Sequence, residues 1–164
     1  MDHRDEPPRK YKTYGGSRAV RLPDFDYVGE VDIHVVICTE SGQPFGSDTL
    51  AKEVCRSIEI TSEKLQYRLY GYCLMPDHLH VLLSPAHSGK PLRNWLQTFK
   101  SYTAHWAKRN LGIPTLWQRS CHDHVCRTGE TAEHVLRYIL NNPIRAGLVK
   151  CAEDWIWSRS FIEA

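Results

Sequence analysis

Tyr72-Cys-Leu-Met-Pro-Asp-His78-Leu-His80-Val-Leu-Leu83 is the stretch from which the fold is read. One apolar run ends at Met75, Pro76-Asp77 forms a tight turn, and a second apolar run opens with two histidines. This predicts a hairpin, with strand two over residues 67–75 and strand three over 78–84. Residues i and i+2 of a strand project from one face. His78 and His80 are therefore expected together on one side, and Leu79, Val81 and Leu83 on the other. Two imidazoles so placed can share a divalent metal once a third ligand arrives from elsewhere. Two polar side chains on the wet face of an antiparallel strand would show the same spacing.

Upstream, Val31, Ile33, Val35 and Ile37 alternate with His34 and predict strand one over 27–38, with His34 on the opposite face. Ser47-Asp-Thr49 offers a helix N-cap. Leu50, Ala51, Val54, Cys55, Ile58 and Leu65 continue it as the apolar stripe of a first helix. Downstream, Leu92, Trp95, Leu96, Phe99, Tyr102 and Trp106 predict a second helix. Pro91 stands in its first turn and Gly112-Ile-Pro114 ends it. Lys100 lies off that stripe, available to phosphates or to solvent. Leu116 to Arg127 reads as a fourth strand carrying a second His-x-His pair, His122 and His124. Thr128-Gly-Glu-Thr131 opens a last helix running to about Asn141, before Pro143.

The order β-α-β-β-α-β-α implies an α+β, ferredoxin-like (RRM-like) antiparallel sheet. Strands one and three become central neighbours, so His34 is expected beside His78 and His80. The last helix is left over and is expected to cover the open sheet face. Its stripe is Ala132, Val135, Leu136, Ile139 and Leu140, and Tyr138 falls on a flank shared with His134 and Asn142. A tyrosine in that place would complete a metal-assisted nucleophile site; a half-exposed tyrosine packed beside the stripe is the plain alternative. His124 is read either as an outer partner of the site or as a structural hydrogen-bonding residue.

The 164 residues fit one domain over 27–160 behind an irregular arm of residues 1–26. The net charge of +2 is too small to announce nucleic-acid binding. The arm, however, gathers Arg4, Arg9, Lys10, Lys12, Arg18 and Arg21 with Tyr11 and Tyr14. It could follow a phosphate backbone, and a solvated tail would have the same composition. The six cysteines form no CxxC pair, which suits reduced thiols in a cytoplasmic protein and speaks against a structural zinc site. Neither a signal peptide nor a membrane-spanning run is expected.

His78-Leu-His80 matches the HUH motif (U, a hydrophobic residue), and its setting from Tyr72 to Leu83 resembles that of single-tyrosine transposases. Leu116-Trp-Gln, Asp123-His124-Val-Cys-Arg127 and Arg137-Tyr138-Ile-Leu-Asn-Asn142-Pro143-Ile-Arg145-Ala-Gly-Leu-Val149 are similar to the REP-associated tyrosine transposase branch. The resemblance implies His78, His80 and Asn142 as ligands of Mg²⁺ or Mn²⁺, and Tyr138 as nucleophile. His34, His124 and His134 would stand around them, and Arg9, Lys10, Lys12, Lys100, Arg127 and Arg145 would contact DNA. Many relatives carry Gln where this chain has Asn142, one methylene shorter. Replication initiators carry Lys there, so Asn142 points to the transposase side. The implied activity is a single-stranded DNA endonuclease and strand-transferase acting through a 5′-phosphotyrosine on hairpin-containing, REP-like repeats, as a monomer or homodimer. The alternative is a hairpin-DNA-binding protein on the same fold whose catalysis is dispensable.

Overall fold

Strand β3 (His78–Ser84) lies between β1 (Ile33–Thr39) and β2 (Arg68–Met75), antiparallel to both. Strand β4 (Trp117–Val125) pairs with the far edge of β1, and a short β5 (Ser158–Ser160) with that of β2, giving the order β4-β1-β3-β2-β5. The computed structural model describes residues 29–86, 88–126 and 130–163. Arg9, Lys10, Lys12 and Arg127, and with them the whole basic arm, lie outside the described residues. The expected α+β sheet is present, with β5 as an addition. Strand β1 starts later than expected. Gly29, at φ 84°, accepts a hydrogen bond from the Val31 N–H, a tight turn just ahead of the strand.

The register decides the two faces. His80 stands opposite Val36 of β1 and Cys73 of β2, and His78 opposite Cys38 and Met75. Ile33, Val35, Ile37, Leu79, Val81 and Leu83 occupy the other side, in one buried cluster with α1 (Asp48–Lys64) and α2 (Leu92–Leu111). Alternation in the strands and 3.6-residue spacing in the helices point all these side chains inward. The Ser47 hydroxyl accepts from the Leu50 N–H at the start of α1, and Gly112 ends α2 in the left-handed conformation, φ 67°. Pro91 is the N-cap of α2 rather than a residue of its first turn.

Tyr102 departs from its expected place on the apolar stripe of α2. It is 47% exposed and its hydroxyl donates to Glu53 Oε1 of α1 at 2.7 Å. At 100° per residue Tyr102 lies about 80° from Leu92, whereas Thr103 lies about 20° away. Thr103 is the buried residue, donating to the Phe99 carbonyl and accepting from Trp117 Nε1 at 2.8 Å. Trp117 is thus a core residue.

The His78/His80 face has its own core: Cys73, Met75 and Leu82 of the sheet against Val135, Leu136 and Ile139 of α3 (Ala132–Leu140). Gly71 permits the close approach. A Cβ there would stand 2.6 Å from both the Arg159 carbonyl oxygen of β5 and Leu136 Cδ1. Gly71→Ala is expected to destabilise the protein by about 1–3 kcal/mol, through the shift it forces on β5 and α3. Unchanged thermal unfolding would show that the strand and helix adjust freely.

Candidate active site

Four side chains from three segments make a continuous polar row on the α3 side of the sheet. The Asp77 carboxylate accepts from His78 Nδ1–H at 2.7 Å. His78 Nε2 faces His80 Nε2 at 3.1 Å, and His80 Nδ1 faces His34 Nε2 at 2.9 Å. The His34 and His80 rings stack, and those of His78 and His80 meet edge-on. His34 and His80 are 5% and 8% exposed. Burial, with His124 nearby, lowers the His34 pKa to about 4. Burial, then His34, His78 and Arg145, hold His80 well below the usual histidine value. Both imidazoles are therefore neutral at pH 7 and carry one lone pair each.

The row closes with two proton arrangements. In one, His34 Nε2–H donates to His80 and His80 Nε2–H donates to His78. In the other, His80 Nδ1–H donates to His34, and the Nε2 lone pairs of His78 and His80 converge. The second arrangement suits a cation. Two nitrogens bound to one ion at 2.0–2.1 Å stand roughly 2.9–3.4 Å apart across octahedral to tetrahedral angles, and 3.1 Å lies within that span. Asp77 and His34 then act as the outer partners that orient ligating histidines. Among the described residues no three His, Cys, Asp or Glu side chains are grouped to hold a metal. The donor set fits an ion only if its third protein ligand is of another type, such as an amide.

Asn142 is such an amide, and the chain places it through Pro143. The expected last helix is interrupted: α3 ends at Leu140, and Asn142 opens a separate short helix, α4 (Asn142–Arg145). Pro143 has no N–H to give the Ile139 carbonyl four residues back. The Asn142 side-chain N–H donates to that carbonyl instead, at 2.9 Å, so that of the amide atoms Oδ1 is the one that could accept or ligate. Tyr138, half-buried on α3, is clamped from α4. The Arg145 guanidinium lies 3.9 Å from the Tyr138 ring centroid and donates to its backbone carbonyl at 2.8 Å. The same guanidinium is near enough to His80 to lower its basicity.

The remaining expected residues are dispersed. His124 lies beside His34 in the β1–β4 register, and its Nε2 pairs with Glu130 Oε2 at 3.1 Å. His134 is exposed in the first turn of α3, where its N–H donates to the capping Thr131 hydroxyl. Lys100 belongs to the opposite, helix-covered side and donates to the carbonyls of Gln118 and Arg119. Trp155 donates its indole N–H to the Leu74 carbonyl at 2.9 Å, a packing role. Sequence reasoning missed Asp77, read only as a turn residue, and Glu130; an acid directly before the first histidine was the available signal for Asp77.

For the metal-free protein, the depressed His34 pKa has a stability consequence. The folded pKa, about 4, is below the unfolded value of about 6.5, so the native state resists protonation where the unfolded chain accepts it. The contribution is fully present above about pH 6.5 and lost as pH falls towards 4, on the order of 3 kcal/mol. Urea titrations in chelator should show it, and His34→Gln should flatten that part of the profile.

Residues 27–142 match the profile of the transposase family described as IS200-like. The chain belongs to the IS200-like transposase family. A REP-associated tyrosine transposase of Escherichia coli is 25% identical over 93 residues, spanning 56% of this chain and 53% of that protein. A putative REP-associated tyrosine transposase of Haemophilus influenzae is 26% identical over 111 residues, 60% and 61% of the two chains. Among solved structures, a REP-associated tyrosine transposase bound to a REP hairpin shares the fold, with a TM-score of 0.67 at 17% identity over 91% of this chain and 81% of that one. Within the IS200-like transposase frame, His78 and His80 lie on the sheet and Tyr138 on the helix covering that face. Among the described residues, no helix is long and apolar enough to cross a membrane.

Proposed function

We propose that this transposase is a metal-dependent, single-stranded DNA endonuclease and strand-transferase, with Tyr138 as nucleophile and hairpin-bearing repeat DNA as substrate. The observation that carries the reading is that α3, which bears Tyr138, packs on the sheet face that carries His78 and His80, with Val135, Leu136 and Ile139 against Cys73, Met75 and Leu82. This packing supports a tyrosine-bearing helix and an imidazole pair serving one site, from residues far apart in the chain. The hairpin substrate follows from family membership and from the hairpin held by the structural relative.

His78 Nε2, His80 Nε2 and Asn142 Oδ1 are the atoms that would hold Mg²⁺ or Mn²⁺. When bound there, the ion supplies positive charge for the non-bridging oxygen of the scissile phosphate and for the departing 3′ oxygen. Asp77 and His34 keep the ring nitrogens in the ligating tautomer. Tyr138 Oη attacks phosphorus, the P–O3′ bond breaks, and the phenolic proton is balanced by the one gained at the new 3′-hydroxyl. The product is a 5′-phosphotyrosine. The ester bond count is unchanged, so a second 3′-hydroxyl can reverse the step and join a new strand. Arg145 keeps the ring in place, and its charge lies where a phosphate would approach.

The reading is tested with end-labelled single-stranded hairpins from the neighbourhood of the protein's own gene, incubated with Mn²⁺ or Mg²⁺. The expected product is a covalent protein–DNA adduct that survives denaturation, on the 5′-phosphate side of the cut, with a free 3′-hydroxyl opposite. Tight binding with no adduct across hairpins and metals would favour a DNA-binding protein whose catalysis is dispensable.

A further inference from the structure

A second polar feature lies on the opposite side of the sheet, where α2 passes β4. A cleft of about 270 Å³ is lined by Arg93, Leu96, Gln97, Lys100, Arg119 and Cys121. Arg93, Gln97 and Lys100 recur at i, i+4 and i+7 along one flank of α2. Arg119 and Cys121 are same-face neighbours on β4. Three of the six lining residues are cations and none is acidic, although the whole chain carries a net charge of only +2. The positive charge here is a local concentration. The Lys100 ammonium is held in the cleft by the Gln118 and Arg119 carbonyls, at 2.7 and 3.2 Å. Arg93 and Arg119 are exposed, and Leu96 is buried. Forked guanidiniums around a partly apolar wall suit a phosphodiester whose sugar or base lies on that wall.

We propose that this cleft binds the backbone of the DNA strand being cut, some nucleotides from the scissile bond, after the strand has turned round the β4 edge. The choice of DNA as ligand rests on the function proposed above. The path is short. Strand β4 ends the sheet, and only β1 separates it from β3, which bears the histidines. Two strand spacings are about 10 Å and one layer thickness about another 10 Å. At roughly 3.4 Å per stacked nucleotide, about six nucleotides cover the distance. Backbone contacts there would hold the strand in register without reading its sequence.

The test measures binding alone, in the Tyr138→Phe protein, so that it remains readable even if Tyr138 is not the nucleophile. Labelled hairpins carry single-stranded flanks of about two or about ten nucleotides on either side, below and above that reach. Arg93→Gln/Arg119→Gln is expected to weaken binding roughly tenfold on the long flank of one side. It should also flatten the slope of log affinity against log salt by about 1.4, two phosphates at ~0.7 each. Binding to the short-flank hairpin should be unchanged. Lys108→Gln/Arg109→Gln removes the same charge from the far end of α2 and should change neither. Arg93→Lys/Arg119→Lys keeps the charge and should restore the salt slope, which separates a lost contact from a disturbed fold. Equal losses for the two Gln pairs, equal losses on long and short flanks, or no loss at all would overturn the proposal.

Discussion

Tyr138→Phe is expected to fold, to bind hairpin DNA, and to form no covalent adduct, a loss on the order of 10⁴-fold or more in cleavage. The substitution removes one oxygen. It leaves the ring under the Arg145 guanidinium and the backbone bond from Arg145 to the Tyr138 carbonyl. The buried side of α3, formed by Val135, Leu136 and Ile139, is also untouched. Stability should therefore move little while the chemistry disappears. Tyr102→Phe is the matched control. Its hydroxyl bonds Glu53 on the helix-covered side of the sheet, so only that surface contact is lost and adduct formation should persist. A denaturation-resistant adduct formed by the Tyr138→Phe protein would refute the assignment.

Removing either of the imidazoles proposed as ligands should be nearly as severe. His78→Ala is the cleaner of the two, because His78 is partly exposed and the partners it leaves include Asp77 at the surface as well as His80 Nε2. Divalent-dependent cleavage should vanish with little change in unfolding. His80→Ala should also abolish it, but it strips buried His34 of its hydrogen bond and is expected to lower stability by about 1–3 kcal/mol. Asp77→Asn probes the orienting carboxylate and should weaken metal-dependent activity by about 10–100-fold, a smaller effect than ligand loss. Wild-type cleavage at full rate in excess chelator would remove the metal from the mechanism, and with it the reason for all three effects.

The register across β1, β3 and β2 was legible because side-chain alternation has a period of two. Once Leu79, Val81 and Leu83 are assigned inward, His78 and His80 have no other side to occupy. The stripe of α3 was legible for the same kind of reason: Val135, Leu136 and Ile139 are buried together, and Tyr138 falls on the flank. The same angular rule sets Tyr102 of α2 off the stripe on which it is expected. Thr103, nearer the centre of the stripe, takes the buried place and satisfies its hydroxyl against Phe99 and Trp117.

What the sequence determined by itself is which face of each element a residue occupies, since that depends on local periodicity and the position of polar interruptions. The tertiary structure alone decided which residues meet across the fold. The His34–His80 bond spans 46 positions, and its existence depends on β1 lying beside β3 at a particular stagger. The partner of His124 depends in the same way on where the segment carrying Glu130 returns to β4. The clamp of Arg145 on Tyr138 requires the break that Pro143 makes between α3 and α4, because an uninterrupted helix would place residues seven apart two turns from each other. The basic cleft joins α2 to an edge strand formed many residues later. Periodicity is a property of a segment, whereas distance between segments is set by how their buried faces pack, and no single segment carries that information.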